Sequence, residues 1–260
     1  MARICACLVL IDHQGNKTRL FEGLKRNSTI RNDAHISVII PAINEAPSIQ
    51  KVLNAVPRWV DDIIVADNGS TDRTADLAAD GGAKVVFEPR RGYGAACLAA
   101  IESISRTDIV VFLDGDYSDF PEEMNLLVDP IIENNVDMVI GSRVRGQREK
   151  GALAPQARFG NMLACLLMRI FWNVNYTDLG PFRAIRYEAL DSLKMMDRNY
   201  GWTVEMQIRA AQAGLRCLEV PVRYRQRIGR SKVTGTIRGV CFAGYKILYT
   251  ILAARLRTLK

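Results

Sequence analysis

The chain has 260 residues, 48% of them hydrophobic, and a formal net charge of +7. That apolar content excludes an intrinsically disordered chain, and the length suits one large α/β domain or one domain with an appendage. The positive charge is unevenly spread, because residues 221–260 hold ten Lys or Arg residues and no acidic residue. The first 220 residues therefore have a formal net charge of −3.

Cysteine and histidine usage argues against a zinc centre. The six cysteines include no C-x-x-C pair and the chain has only two histidines, so no zinc-type ligand set is predicted and reduced thiols in the cytoplasm are expected. The apolar run "ICACLVLI" near the N-terminus is short and has no small-residue cleavage site after it, so we expect no signal peptide. The sequence assigns no role to residues 1–34.

Short β-branched runs alternate with helix-like stretches from residue 36 onward. The runs lack polar/apolar alternation, which is typical of strands buried on both faces, and the stretches between them are predicted to be helical crossovers. An α/β fold with a parallel sheet and helices on both faces follows. The predicted strands are 36–41, 62–67, 83–88, 108–114 and 137–142.

Helices are predicted after Ser70 or Thr71 and at Pro121, which acidic residues follow. A further helix, 161–174, is so apolar that it belongs either to the core or to a membrane surface. The chain from 146 to 235 is otherwise irregular, a pattern typical of the substrate face of an α/β enzyme.

The basic tail interleaves its charges with the apolar stretch "YKILYTILAA". This pairing favours an anionic membrane face or a lipid phosphate over nucleic acid as the partner. No segment reaches the roughly 18 to 20 apolar residues that span a bilayer, so we expect a peripheral protein on the cytoplasmic membrane face. The alternative is that helix 161–174 is buried in the core and the tail forms a homodimer.

Carboxylates gather where three predicted strands end. Glu45 follows the first strand, Asp67 ends the second, and Asp114 and Asp116 end the fourth. Ligands of open parallel sheets bind beyond these strand ends. A lone D-x-D pair is most often a solvated turn, but at the end of a buried strand it is better explained as a site for Mg²⁺ or Mn²⁺ shared with a nucleotide diphosphate. For Asp119, just before a predicted helix, a capping or positioning role fits as well as metal binding does.

A second phosphate motif is weaker. The segment "GYGAAC" at 92–97 begins as G-x-G but lacks the third glycine of a dinucleotide fingerprint. The predicted helix N-terminus after Arg90 and Arg91 can still attract anions.

Six segments occur along the chain in a characteristic order and spacing: "ISVIIPAINEAPSI", "VADNGSTDRT", "FLDGDYSDFPEE", "VIGSR", "DLGPFRAIR" and "RIGRSK". Together they resemble glycosyltransferase family 2, in the branch of dolichyl-phosphate mannose synthase and the polyprenyl-phosphate glucosyltransferases. The resemblance covers about residues 36–250 and implies a GT-A fold with a nucleotide-sugar donor.

This resemblance divides the chain at 34 and 235. It implies a nucleotide-sugar half at 35–145 and an acceptor half at 146–235, followed by a basic apolar helix at 236–260. Asp114 is expected near the ribose and the metal, and Asp116 on the metal. The residues implied to bind the donor are Pro41, Ala42, Glu45, Asp67, Asp114 and Arg91.

Basic residues fall where the lipid-phosphate branch binds its acceptor. Arg143 and Arg158 match arginines that grip the acceptor phosphate, a task that suits the planar guanidinium. Arg227, Ser231 and Lys232 resemble a mobile loop that closes over donor and phosphate. The alternatives are surface arginines and a solvated basic loop.

Two acidic residues in the second half are ambiguous. Glu205 matches the catalytic acid of relatives with hydroxyl acceptors, but it could equally be the structural partner of a nearby arginine. Asp178 is similarly open, although Gly180 and Pro181 beside it suggest a turn that lines the acceptor side.

Three positions depart from the family pattern. Ile43 replaces an aromatic residue, Tyr93 replaces a lysine, and Ser118 stands where the mannose synthases have a third metal-binding side chain.

The expected reaction inverts the anomeric carbon. A phosphate acceptor is already an anion, so the enzyme mainly aligns it for in-line attack while the metal neutralises the departing diphosphate. The donor is expected to be UDP-glucose or GDP-mannose and the acceptor polyprenyl or dolichyl phosphate. Two alternatives stay open, a soluble phosphorylated acceptor such as phosphoglycerate and a non-catalytic sugar-nucleotide-binding or membrane-scaffold protein.

Overall fold

A computed structural model of the chain describes residues 9–11, 17–19, 33–133, 136–229 and 237–258. Within these ranges it contains a two-stranded antiparallel pair and a seven-stranded sheet of order β5-β4-β3-β6-β8-β7-β9. The strands are β1 (Val9–Ile11), β2 (Lys17–Arg19), β3 (Ile36–Ala42), β4 (Asp62–Asp67), β5 (Lys84–Phe87), β6 (Ile109–Phe112), β7 (Met138–Ser142), β8 (Arg183–Arg186) and β9 (Cys217–Pro221).

All neighbours in the large sheet are parallel except β8, which runs antiparallel to both β6 and β7. Every residue of β3, β6 and β7 is buried, which explains why their sequences show no polar/apolar alternation. The prediction of an α/β fold with an open, mostly parallel sheet is confirmed.

The sequence prediction missed β8 and β9. The β8 sequence "RAIR" begins and ends with arginine, so it does not resemble a buried strand. Nevertheless Arg183 is only 1% exposed, because its guanidinium donates hydrogen bonds to the carbonyl oxygens of Leu179, Gly180 and Thr203. Backbone acceptors supplied by distant residues therefore allow a charged side chain inside the sheet.

Helices cover both faces of the sheet, with α1, α2 and α4 on one face and α3, α6 and α7 on the other. A third apolar cluster is shared by α5, α7 and α8. The helices are α1 (Ile49–Ala55), α2 (Thr74–Asp80), α3 (Tyr93–Glu102), α4 (Asn125–Glu133), α5 (Pro155–Trp172), α6 (Tyr187–Leu193), α7 (Trp202–Gln212) and α8 (Ile237–Thr258), and a 3₁₀ turn spans Pro121–Glu123.

Two of the predicted helices have boundaries that differ from those in the structure. The apolar helix predicted at 161–174 begins earlier, at Pro155, because proline has the backbone angle of a first helical position. It ends at Trp172, since Asn173 adopts the left-handed conformation with φ 56°. The helix predicted at Pro121 is a single 3₁₀ turn, and α4 starts only after it.

Gly94, in the first turn of α3, lies against the backbone of the segment after α6. A Cβ at Gly94 would stand 2.0 Å from the carbonyl oxygen of Asp197. We therefore expect Gly94→Ala to lower the free energy of unfolding by about 1–3 kcal/mol, because the backbone must move. Gly160→Ala within α5 is the matched control, since a Cβ there meets no atom within 4 Å. Urea titration measures both, and equal stability would contradict the close contact.

Candidate active site

Carboxylates from three neighbouring strands meet at one edge of the large sheet. Asp67 ends β4, Glu45 follows β3, and Asp114 and Asp116 follow β6. Because β3 lies between β4 and β6, these strand ends are adjacent. Gly115 packs beside Glu45, since a Cβ there would lie 3.6 Å from the Glu45 Cγ. The predicted gathering of acidic residues is present in the structure.

An arginine lies between two of these carboxylates. The Nη2 of Arg227 is 3.0 Å from Oε1 of Glu45, and its Nη1 is 3.1 Å from Oδ2 of Asp116. The N–H of Ile228 donates to the Asp116 carbonyl oxygen at 2.9 Å, which holds this segment beside the aspartates. The guanidinium thus offsets part of the like-charge repulsion at the sheet edge.

Asp114 is held in an environment that favours its neutral form. Burial, followed by the charge of Asp116, raises the pKa of Asp114 to about 7, while the Tyr93 hydroxyl, Arg143 and Arg227 act in the opposite direction. The Tyr93 hydroxyl donates to Asp114 Oδ1 at 3.2 Å. Burial also raises the pKa of Tyr93, so the phenol remains a donor at neutral pH.

The rest of the aspartate loop contains polar atoms without partners. The Ser118 N–H donates to Asp116 Oδ1 at 2.9 Å, but the Ser118 hydroxyl and both Asp119 carboxyl oxygens are buried and accept no hydrogen bond from the described residues. Burial, then the charges of Asp114 and Asp116, raises the pKa of Asp119 well above its usual range. The 3₁₀ turn begins after Phe120 with no side-chain cap, so Asp119 is not a cap.

Asp114 and Asp116 provide a donor set that fits Mg²⁺ or Mn²⁺. They line one cavity, and a cation would relieve the repulsion that raises the pKa of Asp114. Among the described residues, no group of three or more His, Cys, Asp or Glu side chains is arranged to hold a metal. A pair of carboxylates is nevertheless typical of Mg²⁺ sites completed by substrate phosphates and water.

The other predicted donor residues lie at the same sheet edge. Pro41 and Ala42 are the last two residues of β3, and Ala42 is in register with Asp67. Asp67 is 4% exposed and accepts a hydrogen bond from the Ser70 N–H at 3.2 Å. Arg91 is exposed, and its guanidinium lies over the loop that follows β4.

Arg143 follows β7 and forms a bidentate ion pair with Asp178. Its Nε donates to Oδ2 at 2.8 Å and its Nη2 to Oδ1 at 2.7 Å. Asp178 is fully buried and the Arg143 side chain is 12% exposed. Burial opposes the arginine charge, but the Asp178 charge and hydrogen bond outweigh it and raise the pKa of Arg143. The pair fixes the direction of the guanidinium.

The turn that carries Asp178 is itself held from two sides. Glu219 of β9 accepts hydrogen bonds from the N–H groups of Thr177 and Asp178 at 2.8 and 3.1 Å. Asn161 of α5 donates to the Thr177 carbonyl oxygen at 2.9 Å and accepts the Leu179 N–H at 2.8 Å. These contacts make the position of Arg143 depend on three separate elements.

One cavity of 570 Å³ joins the charged residues to an apolar region. Asp114, Asp116, Arg143 and Arg227 line its polar end. Apolar residues from α5, α8 and the segment before α5 line the remainder, among them Leu153, Phe159, Leu163, Gly244, Ile247 and Leu248.

Of the predicted acceptor-binding residues, one described residue does not line this cavity and two are not described by the structure. Arg158 is exposed on α5 and is not part of the cavity wall, as the surface-arginine alternative expects. Ser231 and Lys232 lie outside the described residues. Of the predicted phosphate-binding residues, the structure brings Arg143 and Arg227 together at the polar end.

Glu205, predicted as a catalytic candidate, lies on α7 away from the aspartates. Its Oε2 accepts the Asp197 N–H at 2.7 Å, and its Oε1 accepts Nε of Arg209 at 2.8 Å. It does not line the cavity that contains Asp116. These contacts favour the structural alternative, and the partner arginine is Arg209.

Tyr224 lines the cavity but was not identified from the sequence. The Arg143 guanidinium lies 5.1 Å from the centre of its ring. The backbone of Tyr224 pairs with that of Asp119 in an isolated antiparallel β-bridge. In "VRYRQR" uncharged residues alternate with arginines, a pattern typical of a strand. This pattern could have been used to predict that Tyr224 faces the interior.

Comparison with known proteins identifies the family to which the chain belongs. The model of the family described as Glycosyl transferase family 2 matches residues 37–194. An uncharacterised glycosyltransferase of Mycobacterium tuberculosis is 38% identical over 210 residues, which cover 80% of this chain and 94% of the relative. The dolichyl-phosphate hexose transferase of Haloferax volcanii is 33% identical over 230 residues, 85% of this chain and 96% of the relative.

A solved structure has a similar fold. The glucosyl-3-phosphoglycerate synthase of Mycobacterium tuberculosis, in complex with Mn²⁺, UDP-glucose and phosphoglyceric acid, gives a TM-score of 0.72 at 24% identity. The alignment covers 92% of this chain and 85% of that one. This alignment shows the fold, and the family match together with the two relatives confirms the resemblance: the chain is an enzyme of glycosyltransferase family 2.

Proposed function

We propose that the protein transfers a hexose, with inversion, from a nucleotide diphosphate sugar to polyprenyl phosphate, with Mg²⁺ or Mn²⁺ as cofactor. The supporting observation is the single cavity that joins Asp116, Arg143 and Arg227 to the apolar walls of α5 and α8. A polyprenyl phosphate has the same division into an anionic head and a hydrocarbon tail. The dolichyl-phosphate hexose transferase among the relatives is named for such an acceptor.

The donor is proposed to bind at the sheet edge, with UDP-glucose and GDP-mannose as the candidates. Pro41, Ala42, Glu45 and Asp67 occupy the strand ends where open α/β sheets bind ligands, and the similar synthase was solved with UDP-glucose and Mn²⁺. Asp114 and Asp116 would hold the cation, which supplies neutralisation of the diphosphate leaving group.

Arg227 is proposed to contact phosphate when ligands are present. In the structure it neutralises Glu45 and Asp116, and no described residue accepts a hydrogen bond from its buried Nε. A guanidinium bonds phosphate oxygens in the same forked geometry as carboxylates, so it can exchange one anion for the other.

Arg143 is proposed to orient the acceptor phosphate. Two of its donor groups are fixed on Asp178, and no described residue accepts a hydrogen bond from its Nη1. The acceptor is already an anion, so alignment for in-line attack matters more than a general base. Asp178 acts as a positioning residue in this proposal, and Glu205 has no direct part in the chemistry.

Exposed apolar stripes on α5 and α8, two helices that pack together, support a position on the cytoplasmic membrane face. The side chains recur every three or four residues, as on one face of a helix, and such a face can enter the membrane interface. No described helix is long and apolar enough to span a membrane. The exposed residues are Phe159, Met162, Leu166 and Ile170 on α5, and Phe242, Tyr245, Tyr249, Leu252 and Leu256 on α8.

A soluble phosphorylated acceptor is the second candidate. It is favoured by the similar fold of glucosyl-3-phosphoglycerate synthase, and Arg143 could bind a small phosphate ester equally well. This candidate leaves the apolar part of the cavity without a role.

The test is a pair of incubations of the protein with Mn²⁺ or Mg²⁺ and radiolabelled UDP-glucose or GDP-mannose, one with short-chain polyprenyl phosphate and one with phosphoglycerate as the acceptor. We expect chloroform-soluble label that depends on the divalent cation and on the lipid. Label transferred only to phosphoglycerate would establish the second candidate instead, and nucleotide binding without transfer to either acceptor would contradict both.

Gly244 allows a test of the apolar wall. A Cβ on Gly244 would meet no atom within 4 Å, so a leucine there can extend into the cavity. We expect Gly244→Leu to lower kcat/KM for polyprenyl phosphate by about tenfold or more and to leave donor affinity unchanged. Gly244→Ala is the matched control and should retain activity. Unchanged lipid kinetics in the leucine variant would argue against the apolar wall as the acceptor site.

A further inference from the structure

A second cavity, of 450 Å³, lies between α7, α8 and the segment that follows α6. It shares no lining residue with the active-site cavity. The two cavities use different faces of α8, since Gly244 and Ile247 face the first whereas Lys246 and Thr250 face the second. The second cavity is therefore a separate site.

Basic side chains dominate this second cavity. Four basic residues and two carboxylates line it, which gives a net charge of +2. A cavity lined mainly by one sign of charge concentrates ions of the opposite sign. The charged lining residues are Asp197, Arg198, Glu205, Arg209, Lys246 and Arg257.

The two carboxylates of this cavity, Asp197 and Glu205, already accept hydrogen bonds from several backbone N–H groups. Asp197 accepts hydrogen bonds from the N–H groups of Asn199 and Gly201 at 2.8 and 3.1 Å. Glu205 accepts the N–H groups of Met196 and Asp197 at 3.2 and 2.7 Å. Backbone donors therefore satisfy much of the acidic charge, and the basic side chains are not needed for that purpose alone.

Two of the basic side chains are held in fixed positions by these carboxylates. Lys246 Nζ lies 2.8 Å from Oδ2 of Asp197, and Arg209 Nε lies 2.8 Å from Oε1 of Glu205. The Nη1 of Arg209 also donates to the Leu193 carbonyl oxygen at 3.0 Å. Preorganised charges lose little side-chain entropy when a ligand binds.

The other two basic side chains have no such partner. Arg198 and Arg257 are exposed, and neither side chain makes an ion pair or hydrogen bond with the part of the chain that the structure describes; the charge of Arg198 acts on Glu88 without direct contact. Small side chains at Ala253 and Ala254 line the same cavity and leave room beside the arginines.

We propose that this second cavity binds a phosphate group, as a free phosphate ester or as the headgroup of an anionic lipid. Phosphate is the common biological anion that best matches several arginines and a lysine. Tyr249 lines the cavity and also belongs to the exposed apolar stripe of α8. If this stripe lies on a membrane, the headgroup of a lipid can reach the site.

The test compares wild type with the double variant Arg198→Gln/Arg257→Gln, which removes the two unpaired charges. Isothermal titration with inorganic phosphate and with glycerol 3-phosphate measures the free ligands, and phosphate that Arg143 binds in the first cavity contributes equally to wild type and to each variant. Flotation with phosphatidylcholine vesicles, with and without phosphatidic acid, measures the lipid. Arg169→Gln is the matched control, because Arg169 is exposed on α5 outside both cavities.

We expect the double variant to bind phosphate about tenfold more weakly than wild type, with the Arg169→Gln control unchanged. Weakening with the soluble probes identifies a free phosphate ester, and weakening only with phosphatidic acid vesicles identifies a lipid headgroup. The proposal is overturned if the double variant matches wild type with every probe, or if the control loses as much. None of these readouts depends on glycosyl transfer.

Discussion

Asp116→Asn is expected to lower kcat by at least ~1,000-fold while the chain stays folded. Asparagine preserves the side-chain volume and an oxygen that can accept the Ser118 N–H, but it removes the charge that would hold a divalent cation. A loss of about 4 kcal/mol of transition-state stabilisation corresponds to this factor. Arg227 retains its contact with Glu45 at 3.0 Å, so the loop keeps one of its ion pairs.

Initial rates at saturating donor, together with Mn²⁺ titration and a thermal unfolding curve, check this result. Asp76→Asn is the matched control, because it makes the same change at a carboxylate that is 71% exposed on α2. The control should keep wild-type turnover. Full activity in Asp116→Asn would remove the basis for the proposed cation site.

Asp178→Asn is expected to lower the free energy of unfolding by about 3–5 kcal/mol. The substitution leaves the buried guanidinium of Arg143 without its bidentate partner, and an uncompensated buried charge has this effect. The acceptor KM should rise as well, because Arg143 would no longer be held in one direction. Urea unfolding and acceptor titration measure the two effects separately.

A double-mutant cycle distinguishes the ion pair from other contacts of the turn. Arg143→Gln/Asp178→Asn should be less destabilised than the sum of its single variants by about 1–3 kcal/mol, since the second change removes the unpaired charge. Strict additivity would show that the two side chains do not stabilise each other.

The sheet was largely predictable because strands that are buried on both faces have apolar sequences without polar/apolar alternation. All five predicted strands exist, and the three that are buried in every residue, β3, β6 and β7, had been identified from β-branched runs without polar/apolar alternation. β8 was not, because Arg183 is satisfied by carbonyl oxygens of residues 179, 180 and 203. No periodicity in a short segment can reveal partners of that kind.

The site was predictable only in part, for the same reason. Strand topology brings Glu45 and Asp116 to one edge, so their proximity follows from sequence. The arginine between them comes from a segment 182 residues beyond Glu45, and no local pattern specifies that contact. Glu205 looked like a catalytic residue, but its carboxylate is bound by Arg209 and two backbone N–H groups.

The apolar half of the cavity shows how tertiary packing decides the role of a helix. The sequence left α5 as either a core or a membrane helix. In the structure Ala164 and Met168 are buried, whereas Met162 and Leu166 are exposed and Leu163 lines the cavity. One helix therefore serves the core, the cavity and the outer surface, a division that depends on where α8 packs.

The most direct test of the account is a competition between the two classes of acceptor in one reaction. Equal concentrations of short-chain polyprenyl phosphate and phosphoglycerate are incubated with the protein, Mn²⁺ and labelled donor, and the transferred label is divided between chloroform and water. We expect most of the label in chloroform, with a lower chloroform share for Gly244→Leu. Label that remains in the aqueous product, with the lipid untouched, would contradict a polyprenyl phosphate acceptor.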